Sequence, residues 1–211
     1  MTPSNIPPFF MWAGGKTKML KGYAPLWPRK EYSTYIEPFL GAGAVYSWLC
    51  NNNISFNKVM LNDINHDIMG IFNAVKLDKD EFITNASDIA RSFLAISPHD
   101  KESRKGFYYT LRKSYWDDPQ VPTLYILMRL GFNGIWQTCK SSHGLFGTPA
   151  GLLNQTRMEQ IINPALIGKW CTILQNAELS SMDYSSIPFN PHDCLVYLDP
   201  PYRGSFTTYG T

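Results

Sequence analysis

The chain has 211 residues, 44% of them hydrophobic and 17% charged, and its formal net charge is +2. This mixture is typical of a globular protein with one core, or one core with an inserted subdomain, and it excludes a disordered chain. The apolar runs are too short to span a membrane, and the N-terminus lacks the charged and apolar regions of a secretion signal.

The four cysteines lie far apart in the sequence and include no C-x-x-C pair. This spacing argues against a zinc knuckle, and we expect reduced thiols and no metal site. Reduced thiols, together with the missing secretion signal, predict a cytoplasmic protein.

The N-terminal stretch FFMWAGGKTKML contains a G-K-T triplet at Gly15, Lys16 and Thr17, as in the phosphate loop of ATPases. That loop also requires a glycine five residues before Gly15, where this chain has Phe10. The prolines within residues 5–8 exclude the strand that should precede such a loop. The sequence therefore argues against a P-loop ATPase.

A strand, a glycine turn, a helix and a second strand are predicted next. Residues 34–38 (TYIEP) predict the first strand, and the turn with Gly41 and Gly43 leads into the helical stretch AVYSWLC. Residues 56–62 (FNKVMLN) predict a second strand that ends at Asp63. This order is the opening of a doubly wound α/β fold.

The glycine turn and the acid after the second strand indicate an adenosine-type ligand. A dinucleotide fingerprint needs a third glycine, and Tyr46 stands at that position. An acid placed like Asp63 accepts hydrogen bonds from both ribose hydroxyls of an adenosine-containing cofactor. A plain strand–turn–helix with a surface aspartate remains the alternative at this point.

Residues 101–116, in the middle of the chain, contain five basic and five aromatic side chains and only one acidic residue. The basic residues are Lys101, Arg104, Lys105, Arg112 and Lys113, and the aromatic ones are Phe107, Tyr108, Tyr109, Tyr115 and Trp116. Such a segment suits a phosphate backbone with exposed bases. An ordinary amphipathic helix with a solvated basic face would show the same pattern.

The last third of the chain predicts a helix and two further strands. Helical periodicity covers residues 158–175, and ELSSMDY (178–184) predicts a third strand. The stretch CLVYLDPPY (194–202) predicts an apolar fourth strand that ends in an acid and two prolines. We expect the strand order 3-2-1-4.

The residues Asp199, Pro200, Pro201 and Tyr202 combine two acceptors with an aromatic face. The Asp199 carboxylate and the Pro200 carbonyl can both accept hydrogen bonds from one exocyclic amino group, and Tyr202 offers a ring on which an extruded base stacks. A proline-rich strand exit without function is the alternative for D-P-P alone.

These motifs, in this order, resemble the DNA adenine-N6 methyltransferases, specifically the Dam-like (D12 class, alpha) group. The resemblance runs from residue 9 to the C-terminus. The matching segments are FMWAGGK (10–16), EPFLGAG (37–43), NDIN (62–65), YYTLR (108–112), GFNG (131–134) and DPPY (199–202).

The resemblance implies an α/β fold with the Rossmann-like sheet of S-adenosylmethionine-dependent methyltransferases. It implies a catalytic domain of residues 1–65 and 159–211, and an inserted, mainly helical target recognition domain of residues 66–158. It further implies transfer of a methyl group from S-adenosyl-L-methionine to N6 of an adenine flipped out of double-stranded DNA. Enzymes of this kind serve, for example, restriction-modification in prokaryotes and phages.

The resemblance also assigns roles to individual residues. Cofactor binding is implied for Trp12, Lys16, Phe39, Gly41, Gly43, Asp63 and Asp199. Catalysis is implied for Asp199, Pro200, Pro201 and Tyr202. DNA contact is implied for Arg112, at a phosphate, and for Phe132 and Asn133, in a hairpin that enters the base stack.

The recognition hairpin departs from the family pattern at Gln137, where relatives that read GATC carry arginine. Because arginine reads guanine and glutamine prefers adenine, we expect a target other than GATC. Met11 stands where such relatives often have a DNA-contacting lysine. Lys140 and His143, in the loop that follows, are candidate base or phosphate contacts, although a solvated surface residue is the simpler account of His143.

The family sheet has seven strands, three of which follow D-P-P-Y, whereas this sequence predicts four strands. The fourth strand would then be an open edge, which favours association. Either the sequence is a truncated or split member of the family, or another chain or protomer covers this edge. The alternative is a shortened, catalytically inactive relative that binds DNA or a partner.

Overall fold

The computed structural model describes residues 5–12, 15–28, 30–190 and 192–201, and its centre is a parallel β-sheet. In the described part of the chain the sheet has four strands in the order β3-β2-β1-β4. The strands are β1 (Thr34–Glu37), β2 (Lys58–Asn62), β3 (Ala177–Ser180) and β4 (Cys194–Val196). The predicted α/β class and the predicted strand order are confirmed.

Helices cover the sheet and continue into a helical layer. They are α1 (Leu20–Tyr23), α2 (Ala44–Asn51), α3 (His66–Leu77), α4 (Lys79–Leu94), α5 (Lys101–Asp117), α6 (Val121–Leu130) and α7 (Pro164–Leu174). Helix α3 packs against α7 and β3 on the sheet side and against α4 and α6 of the helical layer. None of the described helices is long and apolar enough to cross a membrane.

Side-chain caps fix where the central helices begin. The side chain of Asn65 accepts a hydrogen bond from the backbone N–H of Ile68 at the start of α3. Asp78 and Asp100 do the same for α4 and α5. Each cap satisfies a backbone donor that the helix itself leaves unpaired.

One hydrophobic core joins the N-terminal segment to helices from both parts of the chain. The ring of Phe9 lies 5.5 Å from Phe72 of α3, 6.0 Å from Tyr125 of α6 and 5.7 Å from Trp170 of α7, measured between centroids. All four side chains are buried. The predicted boundary at residues 65 and 66 therefore divides a shared core, and it stays a prediction.

The basic and aromatic segment forms helix α5, and its inner face is buried. Tyr108 and Tyr115 are buried, whereas Lys105 and Lys113 are exposed. Arg104 is buried as well, and its guanidinium donates hydrogen bonds to the carbonyls of Ile96, Leu153 and Gln155. Arg104 thus joins α5 to two loops. The helix is amphipathic, with an exposed basic face, which was the simpler of the two interpretations of this segment.

Gly43 is required by the packing of Trp170. Its φ of +72° lies in the left-handed region, and a methyl group on its Cα would lie 2.3 Å from the Trp170 ring. The Trp170 indole is itself fixed, because its N–H donates to the carbonyl of Pro7 at 3.0 Å. The glycine turn therefore accommodates an aromatic side chain of the protein at this position.

The variant Gly43→Ala should lower the free energy of unfolding by about 2–5 kcal/mol, since left-handed backbone costs about 1–2 kcal/mol for alanine and overpacking about 1–3 kcal/mol. Chemical denaturation measures the loss. The matched control is Gly168→Ala in α7, where an added methyl group meets no atom within 4 Å. That variant should be neutral or more stable, by about 1 kcal/mol, and equal effects at both glycines would contradict the account.

Candidate active site

A cavity of about 890 Å³ lies at the carboxyl ends of β1, β2 and β4. Ligands of open α/β sheets bind at this edge of the sheet. Three acidic residues from three strand ends line the cavity: Glu37 at the end of β1, Asp63 after β2 and Asp199 after β4. The described residues contain no group of three histidine, cysteine, aspartate or glutamate side chains that could hold a metal ion.

An ion pair joins the N-terminal segment to the end of the fourth strand. The ammonium Nζ of Lys16 lies 2.7 Å from Oδ2 of Asp199, and the two side chains are only 10% and 23% exposed. Partial burial weakens solvent screening, so this pair holds its geometry more firmly than a surface pair would. The two residues that the sequence assigned to cofactor binding and catalysis are thus in direct contact.

Asp63 fixes the glycine turn. Its Oδ2 accepts a hydrogen bond from the N–H of Gly41 at 2.8 Å, and its Oδ1 accepts one from the N–H of Asn65 at 3.0 Å. Burial raises the pKa of the Asp63 carboxyl above its ordinary value, and these two backbone hydrogen bonds oppose the shift. A carboxylate retains further acceptor positions, so Asp63 can hold the turn and also face a ligand.

Glu37 belongs to the site, although no sequence motif gave it a role in catalysis or in cofactor binding. It is buried, lines the cavity, and its Oε2 accepts a hydrogen bond from the Tyr35 hydroxyl at 2.8 Å. Burial raises the pKa of Glu37 to about 8; the Tyr35 bond lowers it, and the nearby carboxylates of Asp199 and Asp63 raise it. An acid at the end of a buried strand was the signal available in the sequence.

The other predicted cofactor residues divide between the cavity wall and the core. Trp12, Phe39 and Gly41 line the cavity together with Lys16, Asp63 and Asp199. The Trp12 indole also packs on the turn, where a methyl group on Gly41 would lie 2.8 Å from its Nε1. Gly43 is not among the lining residues, and the space above it is filled by Trp170.

The predicted catalytic motif lies at the same cavity as far as the structure describes it. Pro200 and Pro201 line the cavity with Asp199. Tyr202 lies outside the described residues. The structure therefore brings three residues of the motif together with Glu37 and Asp63.

Three of the predicted DNA-contacting side chains are exposed. Phe132 is 52% exposed and begins a short 3-10 turn, Phe132–Gly134, in which Asn133 has a left-handed φ of +54°. Lys140 and Asn133 are also exposed, whereas Gln137 is half-buried. Met11 packs against this turn, since its Cβ would lie 3.0 Å from a methyl group on Gly134.

Arg112, expected at a DNA phosphate, is half-buried and contacts loop carbonyls. Its Nη1 donates hydrogen bonds to the carbonyls of Gly147 and Thr148 at 2.9 and 3.0 Å. The guanidinium lies over the rings of Tyr109 and Trp116, 4.7 and 4.8 Å from their centroids. These contacts support the 139–148 loop, and the phosphate contact stays a prediction. Sequence spacing alone does not reveal which acceptor a semi-buried arginine meets.

The cavity extends from the glycine turn to the middle segment of the chain. Trp136, Gly144 and Leu145 line it opposite the strand ends, as does Arg129. A cavity of this size, lined mainly by apolar groups with a few charged ones, is typical of a small-molecule site. The cavity is therefore a candidate small-molecule site that reaches from the strand ends to the middle segment.

The family of the chain follows from its comparison with known proteins. The family model described as D12 class N6 adenine-specific DNA methyltransferase matches residues 12–211. The chain belongs to this family. The predicted family and its class of activity, methyl transfer to adenine N6 in DNA, are thereby confirmed.

Individual relatives agree with the family. The chain is 31% identical to the Type II methyltransferase M.MjaIII of Methanocaldococcus jannaschii, over 97% of this chain and 74% of the relative. It is 28% identical to the Type II methyltransferase M.CviBI of Paramecium bursaria Chlorella virus NC1A, over 97% and 72%. It is 29% identical to the DNA adenine methylase of Escherichia coli (strain K12), over 96% and 69%.

The elevated pKa of Glu37, about 8, predicts a stability that falls with rising pH. Between pH 4.5 and 8 the unfolded chain releases a proton from Glu37 that the folded chain keeps. Wild type should therefore lose up to about 1.4 kcal/mol per pH unit in this window relative to Glu37→Gln, whose amide does not titrate.

Denaturation of both proteins at pH 5, 6.5 and 8 measures this difference. The exposed Glu159 gives the matched control, since Glu159→Gln should track wild type at every pH. A constant difference between wild type and Glu37→Gln across the window would show that Glu37 is ionised in the folded protein.

Proposed function

We propose that the chain transfers a methyl group from S-adenosyl-L-methionine to N6 of an adenine flipped out of double-stranded DNA. The observation that carries the proposal is one cavity lined by Asp63, by Asp199 with its two prolines, and by Trp136 of the middle segment. Residues suited to the methyl donor and residues suited to a base therefore face the same space.

The residues of the cavity suit S-adenosylmethionine. Asp63 offers acceptors for ribose hydroxyls, and Phe39 and Ile64 offer apolar surface for the adenine ring. The Asp199 carboxylate suits a ligand with positive charge, and Lys16, beside it, suits the carboxylate of that ligand. When bound, S-adenosylmethionine supplies a sulfonium-activated methyl group.

The chain's own residues act on the adenine amino group. The Asp199 carboxylate and the Pro200 carbonyl accept hydrogen bonds from N6, which localises the nitrogen lone pair and stabilises the positive charge that develops there. The contact with Lys16 fixes the orientation of the Asp199 carboxylate. Alignment of N6 with the methyl donor lowers the barrier further, and no covalent bond to the protein is needed. N6 gains the methyl group as the sulfur–methyl bond breaks, which leaves a neutral thioether, and N6 then releases one proton to solvent.

The adenine has to leave the duplex because N6 is engaged in base pairing. We assign entry into the base stack to the exposed Phe132 and Asn133. Gln137 suits an adenine edge, which supports a target other than GATC, and Lys140 suits a phosphate. Stacking of the flipped base on Tyr202 remains part of the proposal on the strength of the sequence alone.

We propose that residues 1–65 and 159–211 form the catalytic domain and that residues 66–158 form the target recognition domain. We also propose a cytoplasmic location, which the four free cysteines support.

In the described sheet β4 is an edge strand, and an apolar groove lined by Trp27, Leu195 and Tyr197 lies beside it. We propose that a further strand covers this edge, and a second chain or protomer can supply it.

The variant Asp199→Asn should reduce methyl transfer by at least about 100-fold, because an uncharged amide stabilises the developing charge poorly. Incorporation of label from methyl-labelled S-adenosylmethionine into DNA measures the rate. The matched control is Asp88→Asn on the exposed face of α4, which should transfer at the wild-type rate. Undiminished transfer by Asp199→Asn would contradict its catalytic role, and a wild type that binds DNA without transfer would favour the inactive-relative alternative.

A further inference from the structure

We infer that Asp67 is a positioning residue that locks the recognition segment, defined here as residues 132–137, to the methyl-donor side of the cavity. The inference rests on the proposed function, because it takes this segment as the part that meets DNA. It assigns to one carboxylate the alignment of DNA recognition with the cofactor site.

Two donors from different parts of the helical layer converge on Asp67. Its Oδ1 accepts a hydrogen bond from the hydroxyl of Tyr115 in α5 at 2.8 Å. Its Oδ2 accepts one from the indole N–H of Trp136, within the recognition segment, at 3.0 Å. Tyr115 and Trp136 are only 2% and 7% exposed. Both donors would be left unsatisfied in a buried place if the carboxylate were removed.

On its other side Asp67 is tied to the cofactor wall through a short stretch of backbone. Asp67 lies in the first turn of α3, directly after the loop that carries Asp63. The Asp63 carboxylate accepts from the N–H of Asn65, and the Asn65 side chain caps Ile68. The positive end of the helix dipole favours a carboxylate in this turn. Asp63 and Asp67 are thereby held in one hydrogen-bonded stretch of backbone.

As far as the structure describes the chain, the recognition segment is held mainly by the loop that follows it, apart from the packing of Met11 on Gly134. Its hydrogen bonds to Gly147, Thr148 and Pro149 stay within the neighbouring loop. The hydrogen bond from the Trp136 indole to Asp67 instead joins the segment to helix α3, and both residues line the cavity. Because Trp136 directly precedes Gln137, the bond to Asp67 restrains the backbone that carries the predicted base-reading side chain, together with the bond from the Gly147 N–H to the Gln137 carbonyl.

The chemistry of the two donors makes the identity of the acceptor testable. An indole N–H can only donate, whereas a tyrosine hydroxyl can donate or accept. In Asp67→Asn the amide oxygen can accept from Trp136 while the amide N–H donates to Tyr115, so both hydrogen bonds survive. In Asp67→Ala neither survives. Asparagine should therefore rescue what alanine loses if the role is positioning.

The experiment compares the full chain of wild type with Asp67→Ala, Asp67→Asn and Trp136→Phe. Steady-state kinetics give kcat and the KM for DNA, calorimetry gives the affinity for S-adenosylmethionine without DNA, and sequencing that reads N6-methyladenine gives the set of methylated sites in genomic DNA. The matched control is Asp80→Ala, an exposed acid in the first turn of α4.

For Asp67→Ala we expect the KM for DNA to rise at least tenfold and additional sites to be methylated. Its affinity for S-adenosylmethionine should stay within twofold of wild type. Asp67→Asn should restore the KM to within threefold, Trp136→Phe should reproduce the higher KM and the added sites with Asp67 intact, and Asp80→Ala should match wild type.

A wild-type KM and site set for Asp67→Ala and Trp136→Phe would overturn the inference and leave the proposed function standing. A loss of S-adenosylmethionine affinity in both Asp67 variants would overturn it too, since that result assigns Asp67 to the cofactor itself. If Asp67→Ala does not fold, Trp136→Phe decides alone. A wild type that methylates no DNA would instead refute the proposed function.

Discussion

The geometry of the cavity depends on the ion pair between Lys16 and Asp199, 2.7 Å apart. Lys16 belongs to an N-terminal segment that Phe9 anchors in the core, and Asp199 follows β4, an edge strand of the described sheet. The ion pair joins the N-terminal segment to the residues after β4, beside the carboxyl ends of the strands. Because both charges are largely shielded from water, loss of either partner leaves a poorly solvated charge, so the contact constrains the position of both elements.

The remaining charges of the cavity follow from the same constraint. Glu37, Asp63 and Asp199 come together at the carboxyl ends of parallel strands, and burial opposes ionisation of the first two. Glu37 therefore keeps its proton to about pH 8, while backbone N–H groups support Asp63. A ligand that carries positive charge favours the ionised form of these carboxyl groups, and a sulfonium methyl donor has this property.

Much of this arrangement could be predicted from the sequence, because strand ends and glycine turns are local features. The strand order and the positions of Asp63 and Asp199 followed from the succession of strands, turns and helices. Residue contacts between distant segments could not be predicted: Trp170 above Gly43, loop carbonyls around Arg112, and Trp136 on Asp67, 69 residues away. A guanidinium that suits phosphate equally suits carbonyl oxygens, and only tertiary packing decides between them.

In the proposed function, this one cavity is where adenine is methylated at N6. The most direct measurement is mass spectrometry of the nucleosides obtained by digesting DNA after incubation with the purified protein and S-adenosylmethionine. N6-methyldeoxyadenosine is the methylated nucleoside expected. A methylated cytosine in its place, or no methylated nucleoside at all, would contradict the proposed function.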